Sequence, residues 1–308
     1  MEQQDQDQPK SPERRRFLAN LMMLSIAGTP AFVKLCERLL KGQEKNSPVE
    51  IEPISTQAKA FGTTSPFFGQ DDSGEKQTAE TGVAKQRQRY ETEPGIQQRI
   101  KNTIRWEKLV GECVGDLKGR GLALEPVVEK IILPLIFVES GGDPQADSGV
   151  AFGLCQLRNE AALDAAKTLG VKFALEELPQ KLKDPRMNIT YGLIHLNNLY
   201  WSYPEPGLAI WAYHLGAGNM INALRTYLVS TAGIPEAEVW QTLGKRPTLE
   251  NPALGTNTLV QENKINAIAL LTSPPVKREL QKRKALNDDT EYYLYRVAAA
   301  AEVLSSKT

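Results

Sequence analysis

Ile131-Ile132-Leu133-Pro134-Leu135-Ile136-Phe137-Val138-Glu139-Ser140-Gly141-Gly142-Asp143-Pro144-Gln145-Ala146-Asp147-Ser148 passes from an unbroken apolar run straight into a carboxyl and a glycine pair. A helix that is apolar on every face belongs inside a protein, so the run from Ile131 is read as a buried helix ending at Glu139. Gly141 and Gly142 then open a loop, in which Pro144 and Ser148 continue the turn chemistry. A carboxyl at the end of a buried helix is desolvated, which disfavours its charge and holds its proton near neutrality. A general acid needs that property. By position alone a Glu at a helix end is usually a capping or solvated residue, and Asp143 and Asp147 read as structural members of the loop.

Outward from this stretch the spacing stays helical. Ile96, Ile100, Ile104, Val110, Cys113, Val114 and Leu117 share one face. Further helices are predicted over Pro126–Glu139, Asn159–Leu169, Pro185–Trp201 with Asp184 as N-cap, Pro206–His214 and Asn219–Leu228. Others follow over Pro235–Leu243, Thr258–Leu271, Pro275–Ala285 and Asp289–Leu304. Alternating strand patterns are scarce, so the fold class is all-α. A short β-ribbon is expected at most, near Val150 to Gln156, where Gly149 and Gly153 interrupt helical propensity. Pro134 is expected to kink the Glu139 helix.

The 308 residues divide into three parts. Residues 1–42 contain Arg14-Arg15-Arg16 followed by an uncharged stretch from Phe17 to Val33, the pattern of an export signal or membrane anchor. Residues 43–94 are rich in Gln, Ser, Thr, Gly, Pro and charge, and are read as a disordered linker. Residues 95–308 are read as the folded part. Charge is balanced at 37 basic and 37 acidic side chains, which gives no bulk attraction to nucleic acid. Three scattered cysteines (Cys36, Cys113, Cys155) and two histidines (His195, His214) do not make a zinc cage or a disulfide scaffold.

Glu139-Ser140, Pro144, Ala146, Ser148 and Gly153-Leu154-Cys155-Gln156-Leu157 resemble the E-S-x-x-x-P-x-A-x-S…G-L-M-Q-L signature of soluble lytic transglycosylase (SLT) domains, which share the goose-type lysozyme fold. Asp184-Pro185, Asn188-Ile189, Gly192 and Leu196 resemble the family's D-P-x-x-N-I-x-x-G-x-x-x-L helix. Ala212-Tyr213-His214-Leu215-Gly216-Ala217-Gly218-Asn219 resembles its A-Y-N-x-G-x-G-N turn, and Asp288-Asp289, Tyr292-Tyr293 and Val297-Ala298-Ala299 its closing helix. The resemblance covers roughly Gly121 to Leu304. The basic triplet and uncharged stretch resemble a twin-arginine signal.

The resemblance implies an exported enzyme of the periplasm or cell envelope that cuts the β-1,4 MurNAc-GlcNAc bond of peptidoglycan glycan strands. Glu139 would act as general acid and then as base, forming 1,6-anhydro-MurNAc, with no metal or organic cofactor. It also implies that Ser148 orients the acid, Gln156 meets the sugar N-acetyl region, the Tyr213 hydroxyl points toward the acid, and His214, standing where the family has Asn, holds the turn or reaches a sugar. Asn188 and Gly192 are expected to pin helix packing. Cys155 stands for the family's Met, Val150-Ala151 for its Gly-Ala, and the loop before Gly153 is one residue short. The alternatives are a goose-type muramidase, which needs a second carboxylate, and a non-catalytic peptidoglycan-binding protein.

Overall fold

The computed structural model describes residues 73–243 and 255–307, all within one compact unit. The expected export segment and the linker as far as residue 72 lie outside the described residues. Every regular element is a helix: α1 Ser73–Thr92, α2 Ile96–Ile104, α3 Glu107–Gly119, α4 Pro126–Ser140, α5 Asn159–Thr168, α6 Leu178–Lys181 and α7 Pro185–Ser202. After these come α8 Pro206–Leu215, α9 Ala217–Ser230, α10 Glu236–Thr242, α11 Thr256–Glu262, α12 Ala267–Thr272, α13 Pro274–Lys282 and α14 Asp288–Ser305. The all-α class expected from the periodicity is the class observed. The β-ribbon is reduced to two isolated antiparallel bridges, Asp147 with Phe152 and Phe152 with Leu157.

Helix α4 is the axis of the domain. Pro126 starts it, and the buried residues Val128 and Ile131 to Val138 cover its whole circumference. Helices α2, α3, α7 and α14 pack around it. Pro134 does not end the helix, which continues from Pro126 to Ser140. Local chemistry sets the neighbouring boundaries. Asp184 caps α7 by accepting from the Met187 amide at 2.8 Å, ahead of Pro185 at the first helical position. Glu205 caps α8 through the Gly207 and Leu208 amides at 2.9 and 2.8 Å, and reaches the Ala267 amide at the start of α12 at 3.1 Å. One carboxyl thereby joins two helix N-termini.

Two expectations change. Residues 73–92, assigned by composition to the linker, form α1, which packs along α14. Ala79, Val83, Gln86 and Tyr90 make its buried stripe. A Cβ on Gly82 would come within 2.9 Å of the Tyr295 ring, so only hydrogen fits where these helices touch. The expected single helix over 258–271 is two, α11 and α12. Lys264 adopts φ 48°, which ends α11, and the Asn266 side chain accepts from the Ala269 amide at 2.8 Å to start α12 anew.

Candidate active site

Glu139 occupies the last turn of α4, one residue before its C-terminus. Burial pushes its pKa from 4.5 up to about 7, with the Tyr293 hydroxyl and the Arg296 charge pulling the other way. The Tyr293 hydroxyl donates directly to Glu139 Oε1. Tyr293 is itself 1% exposed, on α14, and its own pKa is raised well above normal by burial and by the neighbouring carboxyl. It therefore stays a donor. The acid is thus held by a phenol whose position in the sequence is 154 residues away.

The turn that follows the acid is clamped from the N-terminal side. Arg99 donates to the Phe137 carbonyl at 3.0 Å, and Arg105 and the Trp106 indole both donate to the Gly142 carbonyl, at 3.1 and 2.9 Å. Tyr90 meets the Phe137 ring edge-on, with centroids 5.1 Å apart. Gly142 has φ 79°, and a Cβ there would lie 2.5 Å from the backbone of Asn102. Gly142→Ala combines a left-handed backbone with a backbone clash, and is expected to cost about 2–4 kcal/mol. The denaturant midpoint measures it, and a change under 0.5 kcal/mol would contradict this account of the turn.

The loop from Asp147 to Leu157 is built on Asn188. That side chain is fully buried; its oxygen accepts from the Cys155 amide at 2.7 Å, and its nitrogen donates to the Phe152 and Leu182 carbonyls, both at 2.8 Å. Gly153, at φ 75°, has the Leu182 carbonyl oxygen where a Cβ would sit, 2.1 Å away. Gly192 of α7 gives room to Cys155, whose Sγ would be 2.6 Å from a Cβ there. Cys155 is buried, and burial raises its thiol pKa well above normal, so it is an apolar filler rather than a nucleophile.

Of the residues singled out in the sequence, Glu139 lies with Tyr213 and His214 around Tyr293. Burial raises the Tyr213 pKa well above normal and the Glu139 charge adds to it, yet its hydroxyl donates to the Cys155 carbonyl at 2.7 Å, not to the acid. His214 stacks on Tyr293 at 4.2 Å and 15°. Ser148 bonds its near neighbour, donating to the Ala151 carbonyl at 3.2 Å and accepting from the Ala151 amide at 3.1 Å. Gln156 adopts φ 45° and folds its amide nitrogen onto the Ala146 and Gly153 carbonyls at 3.1 and 3.0 Å. No hydrogen bond to its amide oxygen is made among the described residues. Asp147 accepts from the Gly149 amide at 2.9 Å and pairs with Lys183 at 3.0 Å, contacts that lower its pKa. Asp143 accepts from the Gln145 amide at 2.9 Å. Trp211 is fully buried core.

Residues 123–228 match the Transglycosylase SLT domain. No curated protein matches the chain. The SLT match supports a transglycosylase-type domain that cleaves glycosidic bonds with peptidoglycan as substrate; SLT domain proteins do this in the periplasm or cell envelope. Among the described residues no helix is long and apolar enough to cross a membrane. The matched SLT segment contains Glu139, Asn188, Tyr213 and His214, but it ends before α14. Tyr293, the direct partner of the acid, is the residue for which sequence reasoning gave no role. Its only signal was membership of the closing helix, because no spacing rule links positions so far apart.

Proposed function

We propose that the domain is a lytic transglycosylase, cleaving the β-1,4 MurNAc-GlcNAc bond with formation of 1,6-anhydro-MurNAc. The observation that carries the reading is one carboxyl, Glu139, with a pKa near 7 and a phenol on one oxygen. Protonated, it gives its proton to the leaving glycosidic oxygen. As carboxylate it then takes the proton of the muramyl C6 hydroxyl, whose oxygen bonds to C1 and closes the anhydro ring. Tyr293 stabilises that carboxylate by keeping its hydrogen bond as charge develops.

A hydrolase would need a second carboxylate to activate water. The two acids of the loop after Glu139 already have other partners: Asp147 its Lys183 pair and Gly149 amide, Asp143 the Gln145 amide. Glu205 is fixed by three backbone amides. This favours the substrate's own hydroxyl as nucleophile over a muramidase mechanism. Gln156, through its amide oxygen, is suited to an acetamido N–H of the sugar. Residues 1–42, with Arg14-Arg15-Arg16 ahead of an uncharged stretch, suit export by a twin-arginine route or anchoring, which would place the domain on its substrate.

Digestion of purified peptidoglycan and mass analysis of the muropeptides tests the reading. Products lighter by one water, with anhydro ends, are expected. Reducing ends would establish a muramidase, and no products a glycan clamp. Because the reaction starts from protonated Glu139, activity is also expected to fall as pH rises through about 7, approaching tenfold per pH unit above it. A rate that stays flat to pH 9 would exclude Glu139 as the acid.

A further inference from the structure

Both histidines of the chain lie against tyrosines beside the acid. His195 is tilted against Tyr213, with centroids 5.1 Å apart, and His214 lies flat on Tyr293 at 4.2 Å. The two contacts differ in consequence, because only Tyr293 bonds the acid. A flat ring on one face of Tyr293 restricts the phenol's tilt and with it the aim of the hydroxyl.

The polar end of His214 is directed at protein. Its Nε2 is 3.4 Å from Thr290 Oγ1. The Thr290 hydroxyl donates to Asn287 Oδ1 at 2.9 Å, so toward His214 it accepts, and Nε2 carries the proton. Asn287 also accepts from the Thr290 amide as the cap of α14. The imidazole is therefore braced against the first turn of α14 while its face bears on Tyr293 of the same helix. The groups that face it are Arg296 and Asp289 of α14, and Arg158 ahead of α5. Burial, then the Arg296 charge, hold its pKa down to about 4, with Asp289 opposing and Arg158 assisting. It is a neutral ring under working conditions.

We infer that His214 is a positioning residue, acting on Glu139 through the Tyr293 ring, rather than a sugar contact. The inference rests on the proposed role of Glu139. Where the SLT pattern carries Asn, a side-chain amide offers a much smaller planar face than an imidazole, so the histidine supplies a broader wall for the phenol. The interface itself does not depend on it. The Trp211 indole donates to the Thr290 carbonyl at 3.2 Å, and Trp211 is fully buried, so α8 and α14 stay joined without the imidazole.

The test compares the full chain carrying His214→Ala, His214→Asn, His214→Phe and Tyr293→Phe. The first readout is the titration of Glu139 by 13C NMR of its side-chain carboxyl, which does not depend on activity. Tyr293→Phe removes a donor to the carboxylate and raises the Glu139 pKa. His214→Ala and His214→Asn raise it in the same direction by about half a unit, and His214→Phe, which keeps a ring, does not. With isolated glycan strands, Ala and Asn lower kcat by about 3–10-fold at unchanged KM, and Phe recovers most of that loss. His214→Ala added to Tyr293→Phe lowers kcat no further, since both act through one hydrogen bond.

A rise in KM with kcat retained would make His214 a sugar contact and overturn the inference. So would equal losses for Ala and Phe, an additive double variant, or an unmoved Glu139 titration in His214→Ala. If His214→Ala does not fold, the Asn and Phe variants carry the same comparison. Failure of the lytic reading shows separately, as full activity in Glu139→Gln, and leaves the NMR arm able to decide the stack.

Discussion

Glu139→Gln is expected to abolish cleavage, by at least about 10³-fold in kcat, and at the same time to make the protein more stable above neutral pH. The amide keeps the shape and the contact with Tyr293, but it neither gives a proton to the leaving oxygen nor takes one from the C6 hydroxyl. The stability change follows from linkage. Glu139 titrates near 7 in the folded chain, against 4.5 as an ordinary carboxyl. Between those values the folded state holds a proton that the unfolded state has released, so stability falls as pH rises through that window. The penalty is absent below about pH 4.5 and complete above about 7, where it reaches up to about 3 kcal/mol. The variant escapes it. Thermal unfolding of both proteins at pH 4 and pH 8 should give matching midpoints at the lower pH and a higher midpoint for the variant at the upper one. Equal midpoints at pH 8 would show that the carboxyl is solvated in the folded chain, and the acid role would lose its physical basis.

Asn188→Ala is expected to produce the largest loss of stability among single side-chain truncations at the site. Its amide binds the Cys155 amide, the Phe152 carbonyl and the Leu182 carbonyl together, at 2.7, 2.8 and 2.8 Å with no exposure to solvent. Truncation strands the Cys155 amide and the Leu182 carbonyl and takes one of two donors from the Phe152 carbonyl, which keeps the Leu157 amide at 3.1 Å, at a cost of about 3–5 kcal/mol. For a domain of this size that is roughly a 10 °C drop in Tm. Activity should fall as well, because the same loop carries Gln156 and offers the Cys155 carbonyl to the Tyr213 hydroxyl. A drop under 3 °C would mean that water replaces the amide, and the loop would then be less dependent on α7 than its hydrogen bonds imply.

What the sequence made legible follows from how local each cause is. The acid was visible because the apolar run Ile131 to Val138 and the Gly141-Gly142 pair adjoin it. Helix starts were visible because Pro126, Asp184-Pro185 and Pro206 act on their own turn. Helix α1 was not visible: its buried stripe is Ala79, Val83, Gln86 and Tyr90, too small and polar to stand out from a Gln-rich, charged background. The break between α11 and α12 was hidden because a lysine, Lys264, takes the left-handed position usually given to glycine. The pairing of Tyr293 with Glu139 is purely tertiary. The loop residues Ser148 and Gln156 were legible as members of a pattern, but not in their bonding, since both turn onto their own backbone.

The junction of α14 with α4 has a consequence for inheritance. The matched segment, residues 123–228, includes Glu139, the proposed proton donor, but stops short of the phenol that holds it and of the helices that clasp its turn. A gene fragment encoding that segment alone, shuffled into another chain, would transplant the reagent without its holder. The part by which this chain is recognised is therefore smaller than the part that holds Glu139 in place.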